Sequence, residues 1–169
     1  SSANFNVATI DDKITEGTEN FVVKIDSAVG GNFENLAISA SNGSVSTSII
    51  DNDAPPVIDL DANNSSGATG ANYNVTFTEG TTGQGVSIAD TDLKITDPDS
   101  TMLTGATIVL TNRQDGDSLN LGNNVNGISI NANSTNGTVT LTLSGTASLA
   151  DYMQQIKNIT FSNSSDDPS

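Results

Sequence analysis

The sequence predicts an all-β protein with one short helix near its C-terminus, and three observations predict it. Short runs rich in Val, Ile, Leu and Thr alternate in polarity and recur between clusters of Gly, Asn, Asp and Ser, the period-2 pattern of half-buried strands. Aromatic residues make up only 4% of the 169 residues, which a Val, Ile and Leu core between thin sheets tolerates. One segment, Leu149–Ile156, instead places Leu149, Tyr152, Met153 and Ile156 at helical spacing. The abundance of Gly, Ser, Thr, Asn and Asp fits a disordered chain as well; the regular alternation decides for a folded one.

Composition excludes several functions. Twenty acidic and five basic side chains give a formal net charge of −15. Nucleic acid and anionic membrane surfaces are therefore poor partners, because phosphate binding needs clustered Lys and Arg. The chain has no Cys and no His, which removes disulfides, the usual zinc sites, thiol nucleophiles and the Ser-His-Asp triad. No signal-peptide pattern or long apolar run is present, so no membrane insertion is expected. The opening Ser1-Ser2-Ala3-Asn4-Phe5 lacks an initiator Met and reads as part of something longer.

Taken in order, Asn4–Ile10 alternates as a strand. The acidic turn Asp11–Asn20 follows, then a strand at Phe21–Ile25. Gly30-Gly31-Asn32 breaks the pattern, Leu36–Ala40 is a third strand signal, and Asn42-Gly43 is a favoured two-residue hairpin turn leading into Val45–Ile50. The stretch Ser48–Asp61 then organises the chain. Asp51 and Asp53 alternate, as do Asp59 and Asp61, with Pro55-Pro56 between them. In an extended segment each pair points to one side. Four carboxylates this close repel unless a cation sits among them, and hard oxygen donors in this number suit Ca²⁺. A solvated acidic linker, stiffened by the prolines, is the other reading. The stretch alone leaves both open, with a first module at 1–54 and a second at 55–169.

The second module opens with the polar loop Asn63–Gly70. Strand patterns follow at Tyr73–Thr78, Val86–Ile88, Leu93–Thr96, Ala106–Thr111, Leu119–Leu121, Ile128–Ile130, Val139–Leu143 and Ile159–Phe161. Asp90/Asp92 and Asp115/Asp117 read as turns. Asp97-Pro98-Asp99 reads equally as a turn or a ligand pair, since Asp and Pro both favour turns. Ser148 is a helix N-cap, with Asp151 three residues on as its capping partner. The Asn-x-Ser/Thr triplets at Asn74 and Asn158 arise from composition and carry no functional weight.

Two resemblances sharpen this. Asp11-Asp12-x-x-x-Glu16-x-x-Glu19-x-Phe21, followed by Ile49-Ile50-Asp51-Asn52-Asp53, resembles the second half of a Calx-beta domain, a Ca²⁺-binding β-sandwich. The resemblance implies Ca²⁺ ligands at Asp11, Asp12, Glu16, Glu19, Asp51 and Asp53, a set large enough for the 6–8 oxygens of a Ca²⁺ site. Lys13 and Asn52 stand where family members often carry aspartates, so fewer ions are expected. A seven-stranded sandwich needs roughly 100 residues, so this module is expected to expose strand edges or to borrow strands from elsewhere.

Residues 57–169 are similar to the cadherin-like repeats of large bacterial RTX-type adhesins. The likeness rests on Asp59-Leu60-Asp61, Phe77-Thr78-Glu79-Gly80, Ile95–Asp99 and Ala147–Tyr152 continuing to Ile159–Asn163. Members usually continue past Asp166-Asp167-Pro168 with one or two closing strands. The resemblance implies tandem immunoglobulin/cadherin-like sandwich modules with Ca²⁺ at their junction, held by Asp59 and Asp61, and by Glu79, Asp97 and Asp99 if their loops lie at that end. It implies a secreted, surface-bound, calcium-rigidified extender whose partners are neighbouring domains of the same chain. A Ca²⁺-dependent sugar- or peptide-binding module is the alternative. No enzyme is expected, because the acidic residues cluster in turns rather than facing one another across a cleft.

Overall fold

Between its two adjacent prolines the chain divides into compact units, Ser1–Pro55 and Pro56–Ser169. The structure is a computed structural model and describes residues 6–29, 31–32, 37–80, 85–135 and 137–165. Asn4, Phe5, Gly30, Leu36 and Asp166-Asp167-Pro168, all used in the sequence reading, lie outside the described residues. Strands in several small antiparallel sheets, with one short helix, make up the regular structure.

In the first unit β1 (Glu19–Lys24) pairs antiparallel with β2 (Ser44–Ile49), placing Phe21 opposite Thr47 and Val23 opposite Val45. Three expectations fail here. Asn6–Ile10 and Ala37–Ala40 form no strand, and Asn42-Gly43 is not a two-residue hairpin. Neither Asn42 nor Gly43 has a positive φ, as the tight turn requires. Gly43 serves close approach instead: a Cβ there would lie 2.7 Å from the Ile38 side chain and 2.8 Å from the Ser39 carbonyl. The connection therefore spans residues 25–43 and closes through the Ile25 N–H on the Gly43 carbonyl at 2.8 Å. None of the described residues of this unit is fully buried.

The second unit carries the core. β3 (Val57–Asp59) pairs with β5 (Lys94–Thr96). β4 (Val86–Ser87), β10 (Thr160–Asn163) and β7 (Asp117–Asn120) form a sheet in the order β4-β10-β7. β6 (Met102–Leu110), β9 (Thr138–Ser148) and β8 (Ser129–Thr135) form another in the order β6-β9-β8. Along β9 the alternation is plain: Val139, Leu141, Leu143 and Ala147 are buried, while Thr142, Ser144 and Thr146 face out. Burying a leucine stabilises by about 1.5–3 kcal/mol, so Leu141 and Leu143, with Ile159 and Tyr152, anchor this unit. The extended run Tyr73–Thr78 forms no strand.

Helix α1 (Leu149–Lys157) forms as its sequence requires. Ser148 caps it: its hydroxyl accepts the Asp151 N–H at 3.1 Å, and the Asp151 carboxylate accepts the Ser148 N–H at 3.2 Å. Tyr152 and Ile156 enter the core. The Tyr152 hydroxyl donates to the Gly145 carbonyl at 2.7 Å. Gln155, fully buried, accepts the Val125 N–H at 2.7 Å and donates to the carbonyls of Leu121 and Asn123, which ties loop 121–125 to the helix. Ile95 N–H meets the Met153 sulfur at 3.3 Å, so α1 also braces β5.

Candidate metal centre

The loop after β3 meets the site through short polar side chains, backbone N–H groups and the Leu60 carbonyl, which accepts the Asp90 N–H at 2.8 Å. Asp61 directly follows the β3–β5 ladder, and Asp90 and Asp92 directly precede β5. Asp59 lies opposite Lys94 in that ladder, so the antiparallel register itself carries the two acidic segments together. Ligand oxygens of Asp61, Asp90 and Asp92 all lie within 4.8 Å of one another. Among the described residues this is the one group of three acidic side chains so gathered.

Asp61 is fully buried and forms the floor. Its carboxylate accepts the N–H groups of Ser65 at 2.9 Å and Ser66 at 2.8 Å. The Ser66 hydroxyl holds its carboxyl below the usual range, helped by those N–H groups and opposed by burial and by the charge of Asp90. Asp90 accepts the Ser65 hydroxyl at 2.7 Å and both the N–H and the hydroxyl of Thr91. These bonds, Ser65 first, lower its carboxyl as well. Nothing basic is among the groups that shift Asp61 or Asp90. Asp92 accepts the Asn63 N–H on Oδ2 at 2.9 Å; its Oδ1 is buried and has no hydrogen-bond partner. A buried carboxylate oxygen left unpaired beside two other carboxylates is unfavourable unless a cation joins them. Three carboxylates with neutral oxygens around them are hard donors, of the kind Ca²⁺ takes.

In the first unit Asp11, Asp12, Glu16, Glu19, Asp51 and Asp53 all line one cavity of about 100 Å³. Asp51 closes it, accepting the N–H groups of Glu16 and Asp53. These two bonds, Asp53 first, lower its carboxyl against the opposing effect of burial. The acidic turn and the acidic tail thus meet in space, 35 residues apart in sequence.

The other sequence-named residues are placed differently. Each of these D-x-D pairs is tied together through its backbone. In each, the first aspartate accepts the N–H of the second: Asp51 from Asp53 at 2.9 Å, Asp59 from Asp61 at 3.2 Å, Asp97 from Asp99 at 3.0 Å. The chain bends at Leu60 and at Pro98-Asp99, where the short Asp side chain bonds the backbone two residues on. Asp97 also accepts the Ser100 N–H and lies just beyond the Val57–Thr96 end of the ladder, away from Asp61. Glu79 is exposed in a turn. Asp59, Glu79, Asp97 and Asp99 are not part of the gathered group. Asp90 and Asp92, read as an ordinary turn, are part of it. Asp117 accepts Asn163 and Gln114 and behaves as a turn residue.

A larger apolar cleft of about 570 Å³ in the second unit is lined by Ile58, Leu60, Ile88, Ile108, Leu119 and Phe161, among others, with Thr107 its one polar side chain. Such a lining offers one side-chain hydroxyl to orient a polar substrate. Among the described residues no helix is long and apolar enough to cross a membrane. No protein-family model matches the chain, and comparison with curated proteins and with solved structures returned no match.

Proposed function

We propose that this chain is a calcium-stiffened spacer: tandem β-sandwich modules of a long extracellular surface adhesin, holding a distal binding domain away from the cell. The observation that carries the reading is the gathering of the Asp61, Asp90 and Asp92 carboxylates, together with an oxygen of Asp92 that is buried without a partner. An ion there ties the loop after β3 to the turn before β5. β3 is the first strand after Pro55-Pro56, so the ion locks the strand on which the chain enters its second unit. The carboxylate-lined cavity of the first unit provides a further place for Ca²⁺. The partners in this reading are the preceding and following domains of the same chain.

The mechanism is linkage. An ion that binds the folded unit and not the unfolded chain stabilises by RT ln(1 + [Ca²⁺]/Kd), about 2.7 kcal/mol at 100 times Kd. Extracellular modules have Kd values of about 10⁻⁴–10⁻³ M, so calcium-rich fluid stiffens the chain and calcium-poor fluid relaxes it. The test is thermal unfolding with Ca²⁺ titrated from a chelated start and Mg²⁺ as the control. A rise in Tm specific to Ca²⁺ is expected, since Mg²⁺ dehydrates reluctantly and demands near-octahedral geometry. A Tm indifferent to Ca²⁺ overturns the proposal.

A further inference from the structure

Ser65 is the one loop residue that touches two members of the carboxylate group with different atoms. Its N–H donates to Asp61 Oδ1 at 2.9 Å and to Asn63 Oδ1 at 2.8 Å, while its hydroxyl donates to Asp90 Oδ2 at 2.7 Å. We infer that the hydroxyl oxygen of Ser65 is the fourth protein ligand of the cation held by Asp61, Asp90 and Asp92. This rests on the cation reading above.

A serine hydroxyl has one proton to donate and two lone pairs to offer. The Ser65 proton is committed to Asp90, and among the described residues no donor reaches its oxygen. The oxygen that bears those lone pairs lies 2.7 Å from Oδ2 of Asp90, a member of the group. Donating the proton to Asp90 while coordinating through a lone pair satisfies both demands at once.

Ser66 shows the contrasting case. Its oxygen accepts the N–H groups of Ala68 at 3.4 Å and Asn74 at 3.1 Å, and its hydroxyl bonds Asp61. Every capacity of that hydroxyl is already used within the loop, so Ser66 builds the loop and leaves the ion to its neighbour. Exposure agrees with this division: Asp61 is fully buried while Ser65 is exposed, so Ser65 stands at the mouth where an ion enters. Asp61, Asn63 and Ser65 also set oxygen-bearing side chains at alternate positions, as the first, third and fifth positions of helix–loop–helix calcium loops do. The buried, unpaired Oδ1 of Asp92 is the independent sign that this group is completed by something outside the protein.

The test uses terbium, which replaces Ca²⁺ in oxygen sites and luminesces when a nearby tyrosine is excited. The chain has two Tyr and no Trp, and both Tyr73 and Tyr152 belong to the second unit. The phenol of Tyr73 feels the charges of Asp90 and Asp61, so it reports this centre. With the full chain, tyrosine-excited terbium emission is titrated out with Ca²⁺. Ser65→Ala is expected to weaken Ca²⁺ about 10- to 100-fold, the range typical of lost partners at metal sites, while Ser65→Thr, which keeps the hydroxyl, retains the affinity. Ala keeps both N–H bonds, so the loop stays folded. Unchanged affinity in Ser65→Ala, or equal weakening by Thr and Ala, overturns the inference and leaves the cation reading standing. A wild-type chain with no Ca²⁺-displaceable emission overturns the cation reading itself.

Discussion

The backbone N–H of Asn63 donates to Oδ2 of Asp92 at 2.9 Å, and the other oxygen of that carboxylate is buried without a partner. One half of Asp92 thus holds the loop and the other half is buried with no donor to meet it. Replacing it by asparagine separates these roles. Asp92→Asn keeps an oxygen for the Asn63 N–H and removes one of three mutually repelling charges. In chelator the variant is expected to melt no lower than the wild type; in saturating Ca²⁺ it is expected to melt lower, having lost a ligand. Calorimetric scans under both conditions check this crossing, and a variant that still gains the full Ca²⁺-dependent rise counts against Asp92 as a ligand.

Asp51 gives a pH prediction for the first unit. Its carboxylate accepts the N–H groups of Asp53 and Glu16, which depress its pKa. A group whose folded pKa is lowered contributes stability that is present above its unfolded pKa, about 3.9 for Asp, and lost as pH falls through the folded value. Hydrogen-exchange protection of the Glu16 amide, corrected for the intrinsic rate, should therefore hold from neutral pH to about 4 and disappear below it. Asp51→Ala should abolish it at every pH. Protection that survives in the Ala variant would show that Asp51 does not hold the acidic turn.

Tyr152 makes the opposite prediction at alkaline pH. Burial raises its phenol above the ordinary value of 10.0. A raised folded pKa means that its contribution is fully present below the unfolded pKa and is lost as pH rises through the folded one. Unfolding midpoints should fall above about pH 10. Tyr152→Phe should remove Tyr152's share of that fall and cost about 1 kcal/mol at neutral pH through the lost bond to Gly145. Denaturant titrations at neutral and alkaline pH compare the two chains.

Much of the second unit was legible because its signals are local. Ser148 and Asp151 announce a capping box within four residues, and Tyr152 and Ile156 mark the buried face of α1 at helical spacing. β9 shows its buried leucines by simple alternation. Tyr73–Thr78 shows why alternation alone misleads: Tyr73 and Phe77 are half-buried, but Val75 between them is exposed, and the run pairs with no strand. Pairing depends on a neighbouring strand, which period-2 spacing does not specify. The centre was half legible. Asp61 was visible as part of an acidic stretch, but Asp90 and Asp92 carry the composition of any turn. What distinguishes them is the register that sets Asp59 against Lys94, a tertiary fact. The oxygen-bearing side chains of Asp61, Asn63 and Ser65 at alternate positions were the available signal for the loop side.

Gly145 tests whether the helix and the β8–β9 pair form one packed unit. Its φ of +130° lies in the region side chains rarely adopt, and a Cβ there would lie 2.0 Å from the Gly127 carbonyl oxygen. The same residue's carbonyl accepts the Tyr152 hydroxyl. Gly145→Ala must therefore displace backbone at Gly127, strain φ and disturb the Tyr152 bond together. Strain and overpacking cost about 1–3 kcal/mol each, so a loss of roughly 3 kcal/mol or more is expected. Gly137, with φ +86° and nothing within 4 Å of its Cβ position, bears the strain alone, and Gly137→Ala should lose only about 1–3 kcal/mol. Denaturant midpoints of the two variants at unchanged m decide it. Equal losses would mean that the Gly145–Gly127 approach does not restrain the unit; a much larger loss for Gly145 would place that approach among the contacts that hold β8, β9 and α1 together.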